Sequence, residues 1–321
     1  MRALTRPAGL PASGYTAHGA PAGELDMVVP RRRRLHAAVA TLRPRQWIKN
    51  GLLVAAAGAA GALGHDDVPA RVAFACVAFC MLASGIYTFN DVRDAAEDRL
   101  HPRKRYRPVA AGELDPASAL GMGTALMLGA ISLCWLVRPL LAVVGAGYVA
   151  LTISYTMIWR QIPILDVVAI GGGFVLRAVA GGVAAPVALS RWFVLVVSAA
   201  AVLIAAGKRY AELRRSDHAS GPRRRVLTSY TPFLLGLIIG ASATVALLAY
   251  SVWALELPTV HAIPWRPLTV LPFAACLLRY VALVRGGSGE APEELLLGDH
   301  VLQLAGIAWL VLFALGVHAA G

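Results

Sequence analysis

The stretch YTFNDVRDAAEDRLHPRKRYRPVAAGEL, residues 87–114, packs acids and bases together directly after a long apolar run. Asp91, Asp94, Glu97 and Asp98 are followed at once by Arg99, Arg103, Lys104, Arg105 and Arg107. On a helical wheel of about 100° per residue with Asn90 at zero, Asp91 falls at about 100°, Asp94 at about 40°, Glu97 at about 340° and Asp98 at about 80°. All five therefore share roughly 120° of arc, on one face of one helix end. Carboxylates this close repel one another unless a cation sits among them. Hard oxygen donors at this spacing suit Mg²⁺, which keeps several waters and bridges to substrate phosphates. The plainer alternative is a solvated polar face where a helix leaves a membrane. Residues 103–107, with Arg103, Lys104, Arg105 and Arg107, also read two ways, as interfacial anchors or as cations for phosphate oxygens.

The elements that must position these residues are membrane helices. The chain has 321 residues, 58% of them hydrophobic and 15% charged, with a mean hydropathy of +0.63. That composition excludes an ordinary soluble domain and predicts an all-α, polytopic membrane protein. Nine apolar segments are long enough to cross a bilayer, at about 48–64, 70–89, 116–137, 139–158, 162–185, 190–207, 231–255, 267–284 and 300–319. Residues 1–40 read as a disordered basic tail without the compact apolar core of a signal peptide. Residues 41–321 read as a single nine-helix catalytic domain. Cys76, Cys80, Cys134 and Cys276 lie inside apolar runs without a CxxC pair, which argues against zinc or a disulfide.

The net charge is +12, yet the basic residues sit in loops between apolar segments, so no nucleic acid is expected. They crowd onto one side: the N-terminal tail, residues 93–107, Arg160, residues 208–225, Arg279 and Arg285. Only Arg71, Arg138, Arg191 and Arg266 fall on the other, with Arg177 inside the membrane. By the positive-inside rule the crowded side, with the tail and the acidic cluster, is cytoplasmic and the C-terminus outside. The expected location is a bacterial inner (plasma) membrane.

Further candidates lie in that cytoplasmic layer. Gln46, Lys49 and Asn50 begin the first segment, and Lys49 reads as an anchor or a phosphate ligand. Tyr155 reads as cavity lining or as an interfacial-belt tyrosine. Asp166 and Arg177 are 11 residues apart on one segment, which puts them on one face roughly 16 Å apart along the axis. Charged groups inside a bilayer face polar cavities. Asp166 is the candidate for hydroxyls or a cation, and Arg177, deeper, the structural one. The run Gly171–Gly173 has no strand before it and reads as close helix packing or pocket space.

The pattern Asn90-Asp91-x-x-Asp94-x-x-x-Asp98 followed by HPRKRYRPVAAG resembles the first aspartate-rich motif of the UbiA superfamily of intramembrane prenyltransferases. The likeness runs from about residue 43 to the end. It implies nine transmembrane helices around a cytoplasm-facing cavity in which Mg²⁺ holds a diphosphate. Asp91, Asp94 and Asp98 would be the catalytic metal ligands, with Asn90 orienting, and Lys49 would bind a phosphate. Where that superfamily carries a second acidic motif, this chain has Lys208, Arg209, Tyr210, Glu212 and Asp217. The departure implies more phosphate held by protein cations and less by metal.

LRPRQWIKNGLL, residues 42–53, together with GKRYAE resembles one branch of that superfamily, the actinobacterial decaprenyl-phosphate phosphoribosyltransferases. This implies transfer of 5-phosphoribosyl from phosphoribosyl diphosphate (PRPP) to decaprenyl or another polyprenyl phosphate, with release of diphosphate, for a cell-wall arabinan precursor. Arg103, Lys104, Arg105, Arg160, Lys208 and Arg209 would neutralise phosphates, while Gln46, Lys49, Asn50, Tyr155, Asp166, Tyr210 and Glu212 would line the substrate cavity. The implied partners are PRPP, the polyprenyl phosphate and the lipid bilayer, with a homo-oligomer left open. Two competitors stand: a conventional prenyltransferase with an aromatic acceptor, which predicts two acidic motifs, and a lipid transporter, which predicts polar residues spread through the membrane depth.

Overall fold

The computed structural model describes residues 31–65, 67–216, 227, 229–256, 264–289 and 291–318, and among these every regular element is helical. In chain order they are α1 (Arg31–Leu42), α2 (Gly51–Ala59), α3 (Val68–Arg93), α4 (Ala95–Leu100), α5 (Pro116–Val137), α6 (Pro139–Met157), α7 (Leu165–Ala184), α8 (Arg191–Ser216), α9 (Pro232–Glu256), α10 (Trp265–Leu268), α11 (Val270–Arg285), α12 (Pro292–Gly298) and α13 (His300–His318). Among the described residues, eight stretches are long and apolar enough to span a bilayer: α3, α5 to α9, α10 with α11, and α13. Proline at the first turn of α5 and α6, with its fixed φ and missing N–H, starts these helices without an orphaned donor. Asp115 caps α5 by accepting from the Ser118 amide at 2.9 Å.

The first of the nine expected segments is built differently. A seven-residue 3-10 run, Pro44–Asn50, leads into the nine residues of α2, and the chain then turns at Gly61 with φ 70°. At about 2.0 Å per residue for 3-10 and 1.5 Å for α geometry, Pro44–Ala59 rises about 27 Å, near the bilayer's ~30 Å hydrocarbon core. The ninth unit is thus short but stretched. It sits between α3 and α7, close enough that a Cβ on Gly181 of α7 would lie 2.3 Å from the Leu53 carbonyl oxygen. Only glycine permits that approach, as small residues do in membrane helix packing.

Two apolar clusters flank α7. One joins α2, α3, α5 and α6 around Leu53, Phe79, Leu82 and Leu141. The other joins α8, α9, α11 and α13 around Leu203, Leu235, Ile239 and Val284. Lipid-facing positions stay apolar as well, as at Trp135, Leu136, Leu237 and Leu310, because lipid tails rather than water surround them. The expected tail boundary shifts: α1 begins within the stretch expected to be disordered. Its Ala37 and Thr41 are buried and the helix packs on α3. Residues 1–30 lie outside the described residues. The 3-10 run packs against α3 and α12, and at this end of the bundle ion pairs join Lys49 to α12, Arg160 to Asp94 and the start of α7 to α8.

Candidate functional site

Helix α3 does not carry the acidic cluster as one continuous face. It ends at Arg93, Asp94 takes the break, and α4 resumes at Ala95. Backbone bonds from the Asp94 amide to the Asn90 carbonyl (2.9 Å) and from the Asp98 amide to the Asp94 carbonyl (2.8 Å) preserve the register across the kink. Asp91 and Asp98 are buried, each 2% exposed, and each carboxylate meets an arginine. Arg43, turned inward by a left-handed backbone at φ 52°, donates to Asp91 and lies over the Tyr87 ring at 4.9 Å. Arg107 reaches Asp98 at 2.6 Å and Asp91 at 3.3 Å. Arg160 reaches Asp94 at 3.0 Å and Glu97 at 3.6 Å.

The donor types fit Mg²⁺. Asp91, Asp94 and Asp98 offer carboxylate oxygens and Asn90 an amide oxygen that is buried without a hydrogen-bond partner, and hard oxygens are what such an ion takes. Among the described residues no three carboxylate, imidazole or thiol groups converge on one point; the arginines stand between them.

A second group forms beside the first. In a 3-10 helix residues i and i+3 eclipse, so Gln46 and Lys49 project from one edge of the 3-10 run. The Gln46 amide donates to Glu293 Oε1 of α12, and Lys49 Nζ lies 3.3 Å from Glu293 Oε2. Burial pushes the Glu293 carboxyl up, but the Lys49 ammonium and the Gln46 amide outweigh it and hold the group below its ordinary value.

A third group is a closed clasp. Arg209, with no exposed surface, donates to Asp166 at 2.5 Å, to Glu212 at 2.5 Å and to the Tyr155 hydroxyl at 3.0 Å. Tyr230 donates to the other Asp166 oxygen at 2.6 Å and accepts from the Ile164 amide at 2.7 Å. Burial, followed by donation to Asp166, pushes the Tyr230 phenol up to about 12. Deeper still, Arg177 donates to Asn50 Oδ1 (2.8 Å), the Gly173 carbonyl (2.9 Å) and the Tyr148 hydroxyl (2.7 Å). Asn50 in turn donates to Cys80 Sγ at 3.1 Å.

The structure thus brings together Asn90, Asp91, Asp94, Asp98 and Arg160, with Gln46 and Lys49 alongside. It corrects several other expectations. Arg209 and Asp166 are engaged with each other, and with Glu212 and Tyr155, so neither faces a phosphate or a sugar. Asn50 is buried and accepts from Arg177. Tyr210 packs into the apolar cluster of α8 and α9, while Lys208 is half-buried on α8. Arg103, Lys104 and Arg105 lie exposed on a 3-10 turn, Lys104–Tyr106. There Arg105 bonds Tyr106 and the amides of Arg103 and Lys104 donate to His101 Nδ1. Asp217 lies outside the described residues.

Sequence reasoning missed Arg43 and Arg107 as partners of the aspartates, because a charge in a basic loop looks the same whether it turns inward or outward. It missed Glu293 and Tyr230 altogether. The one available signal was Glu293-Glu294 opening an apolar run in a loop beside the basic side.

Comparison with known proteins places this arrangement. The UbiA prenyltransferase family model matches residues 51–307. A decaprenyl-phosphate phosphoribosyltransferase from Corynebacterium glutamicum is 40% identical, covering 90% of this chain and 89% of that protein. Its namesake from Mycolicibacterium smegmatis is 39% identical over 88% and 92%, and that of Mycobacterium tuberculosis 37% identical over 85% and 91%. The solved structure of a UbiA homologue from Archaeoglobus fulgidus bound to GPP and Mg²⁺ matches with a TM-score of 0.66 at 16% identity, covering 88% of this chain and 99% of that one. A homologue from Aeropyrum pernix matches with a TM-score of 0.60 at 19% identity, covering 82% and 96%. The likeness to these two structures is one of fold.

Proposed function

Because the chain belongs to the UbiA prenyltransferase family, we propose that it is a membrane phosphoribosyltransferase. It moves 5-phosphoribosyl from PRPP to a polyprenyl phosphate such as decaprenyl phosphate and releases diphosphate. The observation that carries this reading is identity of 37–40% to three decaprenyl-phosphate phosphoribosyltransferases over nearly the whole of each chain. The site supports it chemically. One acidic cluster is ringed by arginines, and the position of a second acidic motif is occupied by the Arg209 clasp. A single metal-diphosphate site beside added cations suits a donor with a diphosphate and a 5-phosphate, and an acceptor with a phosphate of its own.

Asp91, Asp94 and Asp98 would hold Mg²⁺, with Asn90 orienting, and when bound the ion supplies charge neutralisation to the leaving diphosphate. Arg43, Arg107 and Arg160 already lie against these carboxylates and are placed to take phosphate oxygens by charge-assisted bonds. The C1–O bond to diphosphate breaks, with its electron pair leaving on the diphosphate. A phosphate oxygen of the lipid forms the new bond to C1. That oxygen is anionic at neutral pH, so no side chain need remove a proton, and positioning and electrostatics carry the catalysis. The acceptor's apolar chain lies in the bilayer. In this reading the site and the N-terminus face the cytoplasm and the C-terminus lies outside, which the distribution of basic residues supports.

The test is transfer of radiolabelled ribose phosphate from PRPP to decaprenyl phosphate by the purified protein with Mg²⁺, beside the D94A variant. Labelled lipid is expected from the parent chain and about a hundredfold less from the variant. Turnover of a prenyl diphosphate with an aromatic acceptor, and no labelled lipid, would overturn the reading in favour of a conventional prenyltransferase.

A further inference from the structure

The polar atoms left unpaired point to a recognition surface beside the aspartates. Among the described residues three buried side-chain polar atoms have no hydrogen-bond partner: Asn90 Oδ1, Tyr280 Oη and Glu293 Oε2. The first belongs to the metal-binding set already described. The other two come from α11 and α12, in residues each 8% exposed. A buried hydroxyl with no partner, and a buried carboxylate oxygen that has the Lys49 ion pair but no hydrogen bond, are both incompletely satisfied unless something completes them.

Their placement is built rather than incidental. A Cβ on Gly207 of α8 would meet Val284 Cγ2 at 3.2 Å and Tyr280 Oη at 3.3 Å, so glycine there gives the hydroxyl its room. Glu293 is held from the other side. Its Oε1 accepts from Gln46, and its Oε2 lies at ion-pair distance from Lys49, 3.3 Å, without hydrogen-bond geometry. Gly207 also lies against the segment that leads into α12, where a Cβ on Gly289 would come within 2.8 Å of the Gly207 carbonyl oxygen, so the Tyr280 hydroxyl and the start of the segment carrying Glu293 meet at one glycine. A chain of contacts joins this pair to the acidic cluster. Gln46 Oε1 accepts from Tyr87 Oη at 3.4 Å, Arg43 covers the Tyr87 ring at 4.9 Å, and Arg43 donates to Asp91.

A ligand that satisfies both atoms must offer a donor to the carboxylate and engage the phenol within a small group adjoining a diphosphate. A hydroxyl does this, and a pair of neighbouring hydroxyls does it best. A prenyl chain offers neither. We propose that Glu293 and Tyr280 bind the ribose hydroxyls of the donor and so select a sugar diphosphate over a prenyl diphosphate. Lys49 and Gln46 act through Glu293, keeping its carboxylate ionised and aimed. This assignment rests on the phosphoribosyl-transfer reading given above.

The experiment is calorimetric titration of the full-length protein, purified in detergent with Mg²⁺, against PRPP and against inorganic diphosphate, which lacks the sugar. The parent chain, Y280F and E293Q are compared. Each variant should bind PRPP about tenfold more weakly. Diphosphate affinity should be unchanged in Y280F and unchanged or tighter in E293Q, because that variant removes a negative charge near a polyanion. A purely structural role would weaken both ligands in parallel. That outcome overturns the assignment, as does undiminished PRPP binding in both variants. Should the parent chain itself bind PRPP no better than diphosphate and label no lipid, the phosphoribosyl reading fails and this one falls with it. A parent chain that transfers, with variants that keep the preference for PRPP, refutes the hydroxyl-binding role alone.

Discussion

Arg209 carries a full charge with no exposed surface, and the fold tolerates it because Asp166 and Glu212 each meet it at 2.5 Å while the Tyr155 hydroxyl takes a third N–H. Removing one partner of such a buried pair leaves charge uncompensated, a loss of about 3 kcal/mol or more. D166N should therefore lower the unfolding temperature of the detergent-solubilised protein by several degrees. Its folded fraction should retain far more transfer activity than D94A, which a melt paired with the lipid-labelling assay will check. The two aspartates differ in what surrounds them, and that difference is only partly legible in the sequence. Asp91, Asp94 and Asp98 announce themselves by mutual spacing, since acids at those intervals need a cation. Asp166 stands alone in an apolar run, so its partner is found only when α8 and the segment before α9 fold against it. Arg105 and Arg107 make the same point for bases. They lie two apart in one loop, yet the 3-10 turn sends Arg105 outward onto Tyr106 and leaves Arg107 pointing back at Asp98.

Helix α12 has seven residues, too few to hold its own shape in water, so its position depends on docking. The Glu293 contacts with Gln46 and Lys49 supply that docking, and the sign of its pH dependence follows from the Glu293 carboxyl. Its value in the folded protein lies below the 4.5 of the free group. The stabilisation is therefore complete above about pH 4.5 and is lost as pH falls through the lowered folded value. Hydrogen exchange across residues 292–298 should be slow and pH-corrected rates flat from pH 7 down to about 5, then rise sharply at more acid pH. Rates in E293Q should already be raised at pH 7. At this scale the sequence is a good guide to the long helices, because a run of apolar residues has few other uses at that length. It is a poor guide to the first unit. Gly and Ala near residues 51–61 permit a 3-10 run, a short helix or a turn equally, and the choice is settled by how closely Gly181 lets α7 approach Leu53.

For the molecule as a whole, the charged side chains gather at one end of the eight long helices, and the proposal that this end faces the cytoplasm rests on the excess of Arg and Lys there. Exposed serines on opposite ends offer a direct check. In intact cells S190C, between α7 and α8, should react with a membrane-impermeant maleimide, and S288C, between α11 and α12, should react only after permeabilisation. The reverse pattern would invert the topology. The link between the 3-10 run and α12 also carries a meaning in time. Gln46 and Glu293 are 247 positions apart, and a ribosome adding about 5–20 residues per second needs roughly 10–50 s to cover that distance. By the second half of that interval the growing chain owns its aspartates and their arginines, while Lys49 waits without its carboxylate. A stretch synthesised late is thus the one that gives Lys49 its carboxylate, and a chain terminated before α12 would enter the bilayer with that ion pair unmade.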